Sequence, residues 1–175
     1  MTEDLKRQIR GVLDFPKKGI VFRDITTLLK DKEAFRRAID LFYERYKNEK
    51  IDKVVSVESR GFIFGSVLAH RLGAGFVPIR KPGKLPADTI REEYQLEYGT
   101  DAMEIHEDAI ASGERVLVHD DLLATGGTVL AACRLVERLG GKIVGLCFLI
   151  ELSLLKGRDR LGNYDIYSIV NYDTE

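Results

Sequence analysis

The sequence is poor in cysteine, lacks a long apolar run and carries almost no net charge, and each shortage removes a class of protein. Two cysteines, Cys133 and Cys147, in 175 residues cannot build a disulfide framework. Both lie in apolar stretches and read as small core side chains, the usage of a reducing cytoplasm. The longest apolar run, Ile143 to Ile150, is far too short to span a bilayer. The opening segment, Met1 to Gly11, is charged and has no apolar h-region, so a secretory signal is not expected. A formal net charge of -1 gives no global basic field. Nucleic acid and membrane are therefore not expected as partners, and the same charge, with no basic helix, argues against the chain itself being a regulator that binds RNA or DNA. Repeats, low-complexity tracts and linkers are also missing. With 45% hydrophobic and 31% charged residues, the chain reads as one globular domain over residues 1–175.

What is present is an alternation of strand-like and helix-like segments. Residues 2–14 read as a helix before the turn Phe15-Pro16-Lys17-Lys18-Gly19, followed by a short extended Ile20-Val21-Phe22. From Asp31, an N-cap, to about Lys47, apolar residues recur at helical spacing. Lys53–Val57 is a β-branched strand that stops at Glu58-Ser59-Arg60-Gly61, and a helix follows over Phe62–Leu72. Gly75–Ile79 is a second strand, and residues 82–92 read as a mobile loop. Tyr94–Tyr98 and Met103–Ile105 alternate like a hairpin around Gly99-Thr100-Asp101. A buried strand, Arg115–His119, a helix ending near Leu139 before Gly140-Gly141, and strands over Lys142–Ile150 and Asp165–Val170 complete the pattern. Such alternation gives an α/β fold with a mainly parallel central sheet flanked by helices. Ligands of these sheets bind beyond the carboxyl ends of the strands, where Glu58–Gly61 and Asp120–Thr128 both fall.

The most informative segment is Val116-Leu-Val-His-Asp-Asp-Leu-Leu-Ala-Thr-Gly-Gly-Thr128. Ala124, Gly126 and Gly127 let backbone N–H groups close on a ligand, and Thr125 and Thr128 add hydroxyl donors. The loop enters a helix, whose free N–H groups and dipole favour an anion such as a phosphate monoester. Asp120 and Asp121 would repel that phosphate unless they face something else. A sugar diol, or magnesium shared with substrate phosphates, is their natural partner. The segment is neither a Walker loop nor a dinucleotide fingerprint, since Gly-Lys-Ser/Thr and Gly-x-Gly-x-x-Gly are both absent.

Asp120 to Thr128 resembles the phosphoribosyl diphosphate signature of the type I phosphoribosyltransferases, in the wording of the adenine-specific members. The resemblance runs from Phe15-Pro16 to Glu151-Leu152. It implies that Asp120 and Asp121 hold the ribose hydroxyls, while Ala124, Thr125, Gly126, Gly127 and Thr128 hold the 5-phosphate. It also makes residues 1–30 a hood over the base, with the backbone of Val21 and Arg23 reading the edge of adenine. Phe22 and Leu122 would then pack on its two faces. Ser59 and Arg60 become diphosphate donors, and members of this family often distort the backbone there, so a cis Glu58–Ser59 bond is expected. In Ile79-Arg80-Lys81-Pro82-Gly83-Lys84, Lys81 is implied as a further diphosphate contact and Lys84 as a loop cation. Glu93-Tyr94-Gln95-Leu96-Glu97-Tyr98-Gly99 matches the catalytic loop. Glu97 falls on the residue that engages N7 of adenine, and Tyr98 helps seat the loop. The family also implies Mg2+, held mainly by substrate and near Asp120 and Asp121, without a dedicated protein ligand set. It implies a homodimer as well. His119 stands where that family more often has an aliphatic residue; it reads as packing beside the strand end, without a catalytic role.

Overall fold

The computed structural model describes residues 2–95 and 99–173. Its centre is a five-stranded parallel sheet in the order β4-β3-β7-β8-β9. These strands are β3 (Lys53–Val57), β4 (Gly75–Ile79), β7 (Arg115–Leu123), β8 (Lys142–Leu152) and β9 (Ile166–Tyr172). Alternate residues of the inner strands feed two separate cores. Val54, Leu117, Cys147 and Leu149 face α3 (Lys32–Tyr46) and α4 (Gly61–Leu72). Val55, Val57, Val116, Val118, Leu146 and Phe148 face α5 (Gly127–Arg138) and a hairpin of β5 (Thr89–Gln95) and β6 (Thr100–His106). Burial on both faces is why these strands read as near-continuous apolar runs.

From β3 the chain builds outward on one side to β4 and then returns to place β7 on the other. Connections therefore leave in opposite directions between β3 and β7, and a crevice opens at their carboxyl ends. The segments after these strands are the two singled out from the sequence.

Asp31 caps α3 as expected, its carboxylate accepting from the N–H groups of Glu33 at 3.0 Å and Ala34 at 2.9 Å. Both cysteines are fully buried in the core, and burial pushes the Cys133 thiol up to about 12.

The N-terminal segment differs from the helix expected over 2–14. Helix α1 covers only Glu3–Gln8, and β1 (Arg10–Leu13) pairs antiparallel with β2 (Val21–Asp24). Gly11 is a weak helix former, and the turn is closed instead by Asp14, whose carboxylate accepts the Gly19 N–H at 2.7 Å. The partner strand lies beyond the reach of any local pattern. A short helix, α2 (Thr26–Leu29), completes this lobe.

The loop expected over 82–92 is also shorter, since Thr89 to Glu92 already pair with His106 to Met103. Ile90, Glu92 and Tyr94 point inward, while Arg91 and Glu93 face solvent. The inward charge of Glu92 is met by Arg134 at 3.1 Å and Arg138 at 3.3 Å, so a charged stretch becomes a strand. The expected hairpin turn includes residues 96–98, which lie outside the described residues.

Helix α4 packs on β3 so closely that a Cβ on Gly65 would lie 1.9 Å from Ser56 Oγ and 2.9 Å from Ser56 Cβ. Gly65→Ala is therefore expected to destabilise the protein by roughly 1–3 kcal/mol, overpacking outweighing the better helix propensity of alanine. Urea unfolding checks this; an unchanged or higher midpoint would contradict it.

Candidate active site

At the carboxyl ends of β3 and β7 lies an open cleft of about 320 Å³. Its floor is the loop from Ala124 to Thr128, one wall is Glu58-Ser59-Arg60, and Lys81, Tyr94 and Met103 close the far side. Asp120, Asp121 and Leu122 form the rim of β7. The residues read from the sequence as phosphate, diol and diphosphate contacts thus share one space. The Glu58–Ser59 bond is cis, as expected.

The floor keeps its shape through backbone contact. Gly126 has φ 81°, and a Cβ on it would lie 2.7 Å from the Gly157 carbonyl oxygen. A Cβ on Gly157 would in turn lie 2.3 Å from the Ala124 carbonyl oxygen. Only glycine fits at either place. Gly157 opens α6 (Gly157–Leu161), which Arg158 anchors by two bonds to Glu151, at 2.6 and 2.7 Å. Burial works against the Glu151 charge, but Arg158 and Ser168 outweigh it and hold the carboxyl below its usual range. Helix α5 starts at this floor with no side-chain cap, so its first N–H groups remain open to a ligand.

The acidic pair is electrostatically tense. Asp121 is 5% exposed, with Oδ2 lying 2.9 Å from Arg60 Nε. The approach is off-line, and that oxygen has no hydrogen-bond partner among the described residues. Asp120 Oδ1 accepts the Asp121 N–H at 2.8 Å. Burial and the neighbouring Asp121 charge push the Asp120 carboxyl well above its ordinary pKa. Burial raises Asp121 too, against the pull of Arg60. A pair held this way calls for hydroxyl donors or a cation.

Glu58 organises the adjoining wall. Its buried carboxylate accepts from the Lys81 backbone N–H, from Arg80 at 3.2 Å and from Lys84 at 3.3 Å. Burial opposes its charge, yet these donors hold its pKa down. Lys84 is thereby drawn to Glu58 and does not line the cleft. Lys81 does line it, with Nζ bonded to Asp101 and, at 3.0 Å, to Tyr94 Oη.

The N-terminal segment touches the wall of the cleft through Phe22, whose ring lies 5.0 Å from the Arg60 guanidinium and edge-on to Phe15 at 5.2 Å. Val21, Phe22 and Arg23 are all absent from the residues that line the cleft. The Arg23 guanidinium stacks 3.9 Å from the centre of the Tyr172 ring, which leaves only its backbone for any base contact. Glu97 and Tyr98 lie outside the described residues. His119 is fully buried in the core and edge-on to Phe42, and burial lowers its pKa to about 4. That placement matches the packing role read for it.

The sequence reading did not assign roles to Glu58, Tyr94, Met103 or Gly157. Glu58 and Tyr94 stood inside quoted motifs, but Glu58 meets Arg80 and Lys81 more than twenty residues on, and Tyr94 meets Lys81 across two strands. For Gly157 no local signal exists.

The sequence profile of the phosphoribosyl transferase domain matches residues 24–173. An adenine phosphoribosyltransferase of Christiangramia forsetii is 57% identical over 97% of this chain and 99% of its own length. One from Thermotoga petrophila is 59% identical with the same two coverages. The crystal structure of an adenine phosphoribosyltransferase from Thermoanaerobacter pseudethanolicus superposes with a TM-score of 0.95 at 53% identity, covering 98% of this chain and 100% of that one. A Saccharomyces cerevisiae adenine phosphoribosyltransferase complexed with an imino-altritol bisphosphate and adenine superposes at 0.91 with 41% identity, covering 96% and 97%. A common ancestry over the whole fold, and not a shared loop alone, follows from these figures: the chain belongs to the phosphoribosyl transferase family, in its adenine phosphoribosyltransferase branch.

Proposed function

We infer that this chain transfers the 5-phosphoribosyl group of phosphoribosyl diphosphate to N9 of adenine, giving AMP and diphosphate. The observation that carries the chemistry is the cleft itself: an underbonded acidic pair beside an uncapped helix start. One sugar phosphate suits both, its diol on Asp120 and Asp121 and its phosphate on the N–H groups and hydroxyls of Ala124 to Thr128. The choice of adenine is supported by the relatives' substrate and by the hood. Phe22 and Leu122 would take the two faces of the base, and the backbone of Val21 and Arg23 its edge.

The reaction breaks the bond from the anomeric carbon to diphosphate and forms the bond to N9. Ser59, Arg60 and Lys81 would hold the departing diphosphate, where fixed donors and cations offset its growing charge. As the sugar becomes cation-like, the chain's work is to position two substrates and to keep water out. Residues 96–99 join the paired Gln95 and Thr100, and this connection carries Glu97, which would accept the proton of N7 as the ring gains positive charge. Tyr98 would seat the same loop.

Magnesium fits this site as a substrate-borne ion. Among the described residues no cluster of three or more metal-ligating side chains exists, whereas Asp120 and Asp121 both line the cleft. When bound with substrate, the ion would neutralise diphosphate charge near Asp120 and Asp121. A homodimer is part of the same reading; exposed Leu13, Phe15 and Ile63 are apolar surface available to a partner copy. Among the described residues no helix is long and apolar enough to cross a membrane, and buried free thiols suit a cytoplasmic setting.

Turnover of labelled adenine, hypoxanthine and guanine with phosphoribosyl diphosphate and magnesium tests the assignment. A base site that pairs with an exocyclic amine leaves buried groups unpaired against an oxo purine. kcat/KM for adenine should exceed that for hypoxanthine by orders of magnitude, and comparable values would overturn the assignment. Glu97→Leu should lower kcat by roughly 10²–10⁴-fold, the usual size of general-base help, with phosphoribosyl diphosphate affinity nearly intact. Retention of more than about a third of wild-type kcat, below any such effect, removes Glu97 from the chemistry.

Asp120→Asn separates function from stability. Because its folded pKa is raised, the stability Asp120 contributes is fully present below its unfolded pKa of about 3.9 and lost as pH rises through the folded value. Charged Asp120 therefore costs stability at neutral pH. The variant should bind phosphoribosyl diphosphate more weakly, yet melt higher than wild type at pH 7 without ligand. That advantage should shrink toward pH 4. A lower melting temperature at pH 7 would contradict the electrostatic account.

A further inference from the structure

The hairpin that carries the catalytic connection is fastened to the diphosphate wall at one point. Tyr94 and Asp101 face each other across β5 and β6, next to the paired Gln95 and Thr100 from which residues 96–99 spring. Both reach Lys81, which follows β4 in a different part of the chain. Lys81 Nζ donates to Asp101 Oδ2 and, at 3.0 Å, to Tyr94 Oη, while Tyr94 Oη donates to the same Asp101 oxygen at 3.1 Å. The other Asp101 oxygen accepts the Ala102 N–H at 2.8 Å, which fixes the carboxylate itself. The triangle is closed, and two of the three ammonium donors are committed within it. Lys81 and Tyr94 also line the cleft, so the remaining donor is the one available to a ligand there.

A lysine side chain is flexible, and a ligand that must order it loses affinity. Here the ordering is done before any ligand arrives, from both ends. Glu58 accepts the Lys81 backbone N–H, and Asp101 with Tyr94 holds its tip. Burial alone would weaken the Lys81 charge, but Asp101 and Tyr94 outweigh it and keep the amine protonated. The pair is about a third exposed on each side, so its worth lies in placement more than in stability.

We propose that Asp101, assisted by Tyr94, is a positioning residue that presents the Lys81 ammonium to the diphosphate of the substrate and ties that contact to the root of the catalytic hairpin. The inference rests on the phosphoribosyl-transfer reading of the cleft. Neither residue touches substrate in this account; both act through Lys81.

The test is calorimetric titration of phosphoribosyl diphosphate, with magnesium, into wild type, Asp101→Ala, Asp101→Asn, Lys81→Met and the double variant Lys81→Met/Asp101→Ala. Asp101→Ala should weaken binding on the order of tenfold, about the ordering entropy of one lysine side chain. Asp101→Asn should restore most of the loss, because its amide oxygen still accepts from the ammonium. In the Lys81→Met background Asp101→Ala should change nothing further, and KM for adenine should stay near wild type in Asp101→Ala and Asp101→Asn. Tyr94→Phe, which removes a single hydroxyl, should give a smaller loss in the same direction, and serves if Asp101→Ala does not fold. Wild-type binding with an unaltered Asp101→Ala constant overturns the positioning role alone. So does an equal Asp101→Ala effect in both backgrounds, or tighter binding by Asp101→Ala. Absence of binding by wild type overturns the transfer reading and this inference with it.

Discussion

The contact between Arg60 and Asp121 closes the switch point of the sheet, and the rest of the site is arranged around it. Arg60 stands at the end of β3 and Asp121 on β7, with Nε 2.9 Å from the Asp121 oxygen. The same guanidinium lies under the Phe22 ring of the hood. One side chain thus touches three parts of the molecule: the loop after β3, the rim of β7 and the N-terminal segment. The contact is an ion pair only: the same Asp121 oxygen has no hydrogen-bond partner among the described residues. A well-satisfied pair would have left nothing for a substrate to do.

Around that contact the fold separates charges by backbone geometry. Carboxylates sit on the rim of β7, and the uncapped start of α5 sits at the floor. The first region suits hydroxyl donors or a cation, and the second an anion. The floor holds because glycines 126 and 157 let two backbones meet, and because Arg158 pins α6 to the buried Glu151. At Asp120, desolvation and the neighbouring Asp121 charge favour the neutral acid.

The legible parts of the sequence were those with a local physical cause. β-Branched runs announced the parallel strands, Asp31 announced its helix, and the run from Asp120 to Thr128 announced an anion loop with a misplaced acidic pair. The cis bond before Ser59 followed from family likeness and not from any local rule. What could not be read was decided by distant partners. Arg10 to Leu13 became a strand because β2 was there to pair with it. Thr89 to Glu92 became a strand because Arg134 and Arg138 meet the inward Glu92. The roles of Glu58, Asp101 and Gly157 depend on contacts across the fold, to which no spacing in the chain refers. Arg23 was legible as part of the hood, but its stacking on Tyr172 was not.

The proposed transfer requires one division of labour: the acidic pair would take the sugar diol, and the loop after it the phosphate. A crystal structure with phosphoribosyl diphosphate and magnesium tests it directly. The account predicts both ribose hydroxyls within hydrogen-bond distance of Asp120 and Asp121, with the 5-phosphate against the backbone N–H groups of residues 124–128. A 5-phosphate seated elsewhere, or a ribose whose hydroxyls turn away from both carboxylates, would contradict it.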